Sequence, residues 1–180
     1  WLKMKNTKKL ALAALFAALA CAATMSIRIP TPGTGGYIHP GDAIVILSGI
    51  FLGPVYGGLA AGIGSAMSDL LGGYFLYVPI TFVIKGAVGL LAGKAFQFVK
   101  TRGIPAWAGV AAGGIADIVL VVSGYGICEI VLYGFAAALG SMIPNLAQGI
   151  GGLVLALLLY PVLSAVPDFA CMADRTSRRR

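Results

Sequence analysis

The chain has 180 residues, 59% hydrophobic and 11% charged, with a mean hydropathy of +0.94 and a net charge of +7. A soluble domain carries about 25% charged residues, so the composition excludes an ordinary soluble fold and points to an all-α membrane protein. Placement of the charge argues against nucleic acid: Lys3, Lys5, Lys8 and Lys9 precede the first apolar run, Arg175, Arg178, Arg179 and Arg180 follow the last, and no basic face with interleaved aromatics occurs.

A helix that crosses the bilayer needs about 20 apolar residues. The first such run extends from Lys9 to Ile27, after a basic tail over residues 1–8 in which Met4 resembles a natural start. Leu10 to Ala23 also has the look of a signal peptide, and Leu19-Ala20-Cys21 that of a lipoprotein cleavage site, but the rest of the chain is equally apolar. The Pro- and Gly-rich stretch from Arg28 to Pro40 cannot be regular helix. A short run, Gly41 to Leu52, stops at Gly53-Pro54, and a third, Val55 to Leu71, ends at Gly72-Gly73. A fourth begins near Pro79, which suits a first helical turn, and reaches Val99. The fifth runs from Pro105 to Ser123, residues Gly124 to Pro144 are mixed, and a sixth extends from Asn145 to Val166 before a basic tail over residues 167–180.

The expectation is one domain over residues 1–180, a compact bundle of six transmembrane helices with the second unusually short. Both tails and the loop region holding Lys94, Lys100 and Arg102 then share one side, whereas the opposite loops hold only Arg28. Basic residues favour the cytoplasm and anionic lipid, so the topology is N-in and C-in with both tails cytoplasmic.

This orientation places the ionisable residues in the outer half of the bundle. Charges in hydrocarbon are costly and usually face a cavity or a substrate path. Asp42, Asp69, Glu129, Asn145 and Gln148 lie in or within about one turn of the outer segments, Lys85 lies roughly 10 Å below Val78, and Asp117 is near mid-membrane. Lys85 either pairs with Asp69 across the third and fourth helices or contacts a ligand. His39, the single His, excludes a metal site that needs two; with Asp42 it forms a ligand-facing pair, or Asp42 caps the second helix. Tyr74 and Tyr77 belong to an aromatic belt or stack on a bound heterocycle. Glu129 and Tyr133 share a helical face if their segment is helical. Asn145 is placed to cap the sixth helix, which leaves Gln148 as the better ligand candidate. Ala14, Ala18 and Ala22 form a row of small residues on the first helix, either packed within the bundle or offered to another membrane protein. Cys21, Cys128 and Cys171 share no metal-ligand spacing and read as packing residues.

The ordered set Arg28-Ile-Pro-Thr-Pro, Ile38-His39-x-Gly41-Asp42, Phe51-Leu-Gly-Pro54, Gly64-Ser65-x-x-x-Asp69-Leu-Leu-x-Gly73 and Phe82-x-x-Lys85-Gly86 resembles the substrate-binding S components of energy-coupling factor (ECF) vitamin transporters. Glu129-x-x-x-Tyr133-Gly134 and Ile143-Pro144-Asn145-x-x-Gln148 are similar too, so the likeness covers residues 8 to 166. It implies a six-helix protein that holds one vitamin near its extracellular face. It also implies a membrane coupling subunit and two cytoplasmic ATPases as partners, with Ala14, Ala18 and Ala22 contacting the coupling subunit. The chain itself has no Walker motif. Because Asp42, Asp69 and Glu129 against Lys85 leave no cationic excess, a pyridoxine- or hydroxymethylpyrimidine-like ligand fits better than a multiply anionic one.

No cofactor, metal or catalytic residue is expected. Two other classes compete. A self-sufficient secondary transporter or channel would favour inverted repeats, and none is detectable. An intramembrane hydrolase would use Ser65 or Ser68 with His39, yet no Gly-x-Ser-x-Gly elbow exists.

Overall fold

The computed structural model describes residues 6–31, 33, 37–169 and 173. The Lys3, Lys5 and Arg175–Arg180 parts of the basic tails, Met4 and Cys171 lie outside the described residues. Six helices follow in order: α1 (Asn6–Ser26), α2 (Asp42–Leu52), α3 (Pro54–Gly72), α4 (Tyr77–Thr101), α5 (Ala106–Tyr133) and α6 (Phe135–Ser164). The Pro- and Gly-rich stretch forms a small antiparallel pair, β1 (Ile29–Pro30) with β2 (Tyr37–Ile38), in which Ile29 faces Ile38. Backbone groups in hydrocarbon must be satisfied internally, which drives nearly all of the embedded chain into helix.

Among the described residues, four helices are long and apolar enough to cross a membrane: α1, α4, α5 and α6. At 19 residues α3 spans roughly 28 Å, whereas the 11 residues of α2 reach only roughly 16 Å, about half of a 30 Å hydrocarbon core. Ten of those eleven residues are buried, so α2 is the central element. Apolar side chains such as Leu59, Ile63, Val83, Val119 and Leu158 are exposed around the periphery, as lipid-facing positions require.

The glycines close the bundle. A Cβ on Gly58 would lie 2.9 Å from the Gly86 carbonyl oxygen, and one on Gly62 would lie 2.8 Å from that of Phe82. Helices α3 and α4 therefore pack backbone against backbone, the small-residue contact that drives association where water is absent. Gly49 brings α2 equally close to Gly89 and Gly93 of α4.

Two boundaries differ from the sequence expectation. Residues 124–144 are not mixed, because α5 continues to Tyr133 and α6 starts at Phe135, with the turn concentrated in Gly134 at φ +89°. Pro144 lies inside α6 and does not open it; helices in membranes tolerate such a residue because neighbours re-satisfy the freed backbone groups. Just beyond α6, Phe169 packs on Phe16 and Phe51 at centroid distances of 5.6 and 5.5 Å. Lys8 pairs with Asp168 at the same end of the bundle.

Candidate functional site

At the end of the bundle that carries the β1–β2 hairpin, all the longer helices except α1 contribute to one cleft of about 390 Å3, counting its open mouth. From α4 come Tyr77 and Thr81, one turn apart, and from α5 come Tyr125 and Glu129. Asn145 and Gln148 face it from α6, Asp69 from α3, and Thr31, Tyr37 and His39 from the hairpin segment. In small-molecule sites a few placed polar groups of this kind fix the orientation of the ligand.

The acidic groups are held differently. Glu129, 2% exposed, accepts from Tyr77 Oη at 3.2 Å on Oε1 and from Ser141 Oγ on Oε2. Asp69, 4% exposed, accepts from Tyr37 Oη at 2.6 Å on Oδ1, while its buried Oδ2 has no partner among the described residues. The turn beneath Asp69 is fixed by a Schellman cap, in which Tyr74 N–H donates to the Asp69 carbonyl at 2.8 Å and Gly73, in the left-handed conformation, donates to Leu70. Burial, and then the neighbouring Asp69, push the Tyr37 hydroxyl pKa up, so it stays a donor. Thr81 and Tyr125 share a hydrogen bond of 2.9 Å across α4 and α5.

Beneath the cleft lies a second polar layer. Lys85 donates to Asp42 Oδ1, and both side chains are fully buried. Gln148 joins the layers: its Nε2 donates to Asp42 Oδ2 at 2.8 Å, and its Oε1 accepts the His39 backbone N–H at 3.0 Å. Asp117, 0% exposed, faces the Asp42 carboxyl from α5 within hydrogen-bonding reach, and its oxygens take no other hydrogen bond among the described residues. A single buried cation thus serves two buried carboxyl groups. His39 Nδ1 accepts from Gly41 N–H at 3.1 Å, and burial lowers its pKa to about 4, so the ring is neutral at neutral pH.

The expected Lys85–Asp69 pair does not form; Lys85 pairs with Asp42. Depth is the reason. Lys85 lies eight residues into α4, roughly 12 Å below Tyr77, whereas Asp69 is within one turn of the end of α3. The short α2 begins low enough to present Asp42 at the level of Lys85. Asp42 is not a side-chain cap either, since Gly41 occupies the cap position without any side-chain hydrogen bond. Asn145 likewise is not a cap, because it lies in mid-helix and is buried.

Of the residues singled out from sequence, His39, Asp69, Tyr77, Glu129, Asn145 and Gln148 come together at the cleft, and Asp42 and Lys85 lie under its floor. Tyr74 flanks it through a ring contact with Tyr37 at 4.5 Å. Tyr133 does not reach the cleft and is 39% exposed. Thr31, Tyr37, Thr81 and Tyr125 were missed. Thr81 lies four residues before Lys85, and Tyr125 four before Glu129, so helical spacing pointed to both. Arg28, the lone basic residue of its segment, donates to the Ser68 carbonyl at 2.8 Å and lies over the Tyr37 ring at 4.8 Å.

Comparison with known proteins gives this architecture a family. The model of the ECF-type riboflavin transporter S component matches residues 4–165. The chain belongs to that family. It is therefore a multi-pass membrane protein and a transporter component for a vitamin or vitamin precursor, in a family of transporter components and not of enzymes. The thiamine precursor transporter HmpT of Lactococcus lactis subsp. cremoris is 30% identical over 161 residues, covering 88% of this chain and 89% of that protein. An uncharacterised protein of Pyrococcus woesei is 32% identical over 132 residues, covering 73% of this chain and 85% of its own length. Among solved structures, the S component for biotin from an ECF-type ABC transporter superposes with a TM-score of 0.68 at 17% identity, over 99% of this chain and 96% of the other. The S component of a bacterial ECF transporter gives 0.65 at 21% identity, over 89% and 98%. At these identities the structural likeness establishes the S-component fold, and the ligand has to be argued from the cleft.

Proposed function

We propose that this S component binds a pyridoxine- or hydroxymethylpyrimidine-like compound in the cleft at the hairpin end and delivers it inward with an ATPase-driven coupling module. The observation that carries the ligand class is electrostatic. Asp69 and Glu129 line the cleft, while no Lys or Arg among the described residues does; Lys85 is committed to Asp42 below, and Arg28 lies behind Tyr37. A multiply anionic vitamin would need charge-assisted donors that this lining lacks. A single-ring heterocycle of neutral or weakly basic character matches it, with tyrosine rings to pack on and hydroxyls to orient it. The similarity to a thiamine precursor transporter supports the same class.

The six helices span with both termini inside, and the cleft opens to the outside; the concentration of Lys and Arg at the opposite end of the bundle supports this orientation. The partners are a transmembrane coupling subunit and two cytoplasmic ATPases. Ala14, Ala18 and Ala22 are exposed along α1, while Phe16, Ala20 and Thr24 turn into the bundle, so the alanine row offers a flat face on which another helix can approach closely. Native mass spectrometry of protein purified from its host tests the ligand class directly. A retained single-ring vitamin or precursor is the expected result; a retained flavin, or no retained ligand together with no calorimetric heat across a vitamin panel, would overturn the reading.

A further inference from the structure

The four carboxylate oxygens at the cleft are not equivalent. Both of Glu129 are taken, by Tyr77 and Ser141, and Asp69 Oδ1 is taken by Tyr37. Asp69 Oδ2 alone is buried with no donor in bonding geometry among the described residues; the Thr81 hydroxyl lies near the Asp69 carboxyl but bonds Tyr125. No cation is within ion-pair distance of it, since the described ion pairs are Lys8 with Asp168 and Lys85 with Asp42. The Schellman cap fixes the backbone from which this side chain projects, and Tyr37 fixes its orientation. A buried acceptor held in place without a donor is costly to the free protein, and an incoming donor relieves that cost.

Given the proposed role as an S component for a single-ring heterocycle, we infer that Asp69 is the specificity-determining residue and that its Oδ2 accepts an N–H of the ligand, which makes the cargo an amino-substituted heteroaromatic ring. The other polar groups of the cleft narrow the choice. The hydroxyls of Thr81, Tyr77 and Tyr125 donate or accept by rotation and so accommodate ligand hydroxyls or ring nitrogens, whereas Asp69 in its carboxylate form, the form a basic ligand favours, only accepts. It demands a group that is always a donor, which an exocyclic amine is. Two carboxylates without a cation at the cleft, beside a neutral His39, also favour a ring that gains positive charge on binding, and amino-substituted heteroaromatic rings are weakly basic.

The test uses the purified full-length protein and three probes in calorimetry: hydroxymethylpyrimidine, which carries the ring amine; the same compound with a methyl group replacing the amine; and pyridoxine, which has no amine. The amine compound is expected to bind tightest, with the methyl analogue weaker by roughly tenfold to a hundredfold, the range for one hydrogen bond to a charged group. Asp69→Asn is expected to shrink that ratio to below about threefold while the methyl analogue still binds. The ratio on the unsubstituted protein needs no variant to fold, and equal binding of the two pyrimidines there would overturn the inference, as would an Asp69→Asn protein that keeps the full ratio. Tight pyridoxine binding with neither pyrimidine bound would overturn this inference and leave the proposed function standing. Binding of none of the three, with a larger vitamin bound instead, would overturn the proposed function itself.

Discussion

Lys85→Met is the most informative single substitution for stability. Methionine approximates the length of the lysine stem, so the change removes the charge with little loss of packing. It leaves Asp42 with the Gln148 amide and the adjacent Asp117 carboxyl as its remaining side-chain partners, and no cation beside either acid. Breaking a fully buried ion pair from one side costs about 3–5 kcal/mol, because the surviving charge is stranded, and the second carboxyl group places this site toward the upper part of that range. For a chain of this length each kcal/mol moves the melting midpoint by roughly 2–4 °C, so a drop of about 6–20 °C is expected. The assay is thermal unfolding in detergent, read by intrinsic fluorescence, with Asp42→Asn combined as a double variant. Removing both charges should recover most of the loss, since neutral isosteres of a buried pair are often tolerated. Neither residue lines the cleft, so the double variant should retain its ligand affinity. A Lys85→Met protein within about 1 kcal/mol of the parent, or a double variant no better than the single one, would refute the reasoning.

Three further outcomes are expected. The His39 ring has a folded pKa of about 4, lowered by burial from an ordinary 6.5, so between these values the unfolded chain binds more protons and stability should fall as pH drops from about 6.5 to about 4; His39→Gln should flatten that part of the profile, as followed by melting midpoint against pH. Gly134 turns the chain at φ +89° and ψ 166°, with nothing within 4 Å of an added Cβ, so Gly134→Ala should cost about 1–3 kcal/mol from backbone strain alone, and an unchanged unfolding midpoint would contradict that. Ala14→Trp and Ala18→Trp should abolish ATP-dependent uptake in cells while calorimetric ligand affinity of the isolated protein stays the same; loss of affinity or of folding would show that this face serves the bundle and not a partner.

Much of the fold was legible in the sequence because the bilayer imposes its constraints one segment at a time. Hydropathy located the helices, Gly53-Pro54 and Gly72-Gly73 marked real boundaries, and the Pro- and Gly-rich stretch from Arg28 was recognisably irregular. Residues 124–144 escape this reasoning, because their composition is mixed and yet a single glycine turn joins two continuous helices. Once α5 was cut short at Ser123, the spacing that aligns Asp117, Val121, Tyr125 and Glu129 on one buried stripe was lost, and Tyr125 was lost with it.

The sequence by itself determined that costly ionisable groups lie inside an apolar chain, since that follows from composition and order alone. Which carboxylate meets which cation was decided by relative helix depth, a property of the packed bundle that no spacing along one helix encodes. Asp69 is the partner for Lys85 that the order of helices suggests, but the short α2 places Asp42 low in the bundle beside Lys85 and the hairpin places Tyr37 against Asp69. Tertiary structure likewise separated Glu129, with both oxygens satisfied, from Asp69, with one oxygen left without a partner. Two acidic residues that read alike in the sequence differ because hydrogen bonds form between groups distant in the chain, and only the packing of helices brings those groups within reach.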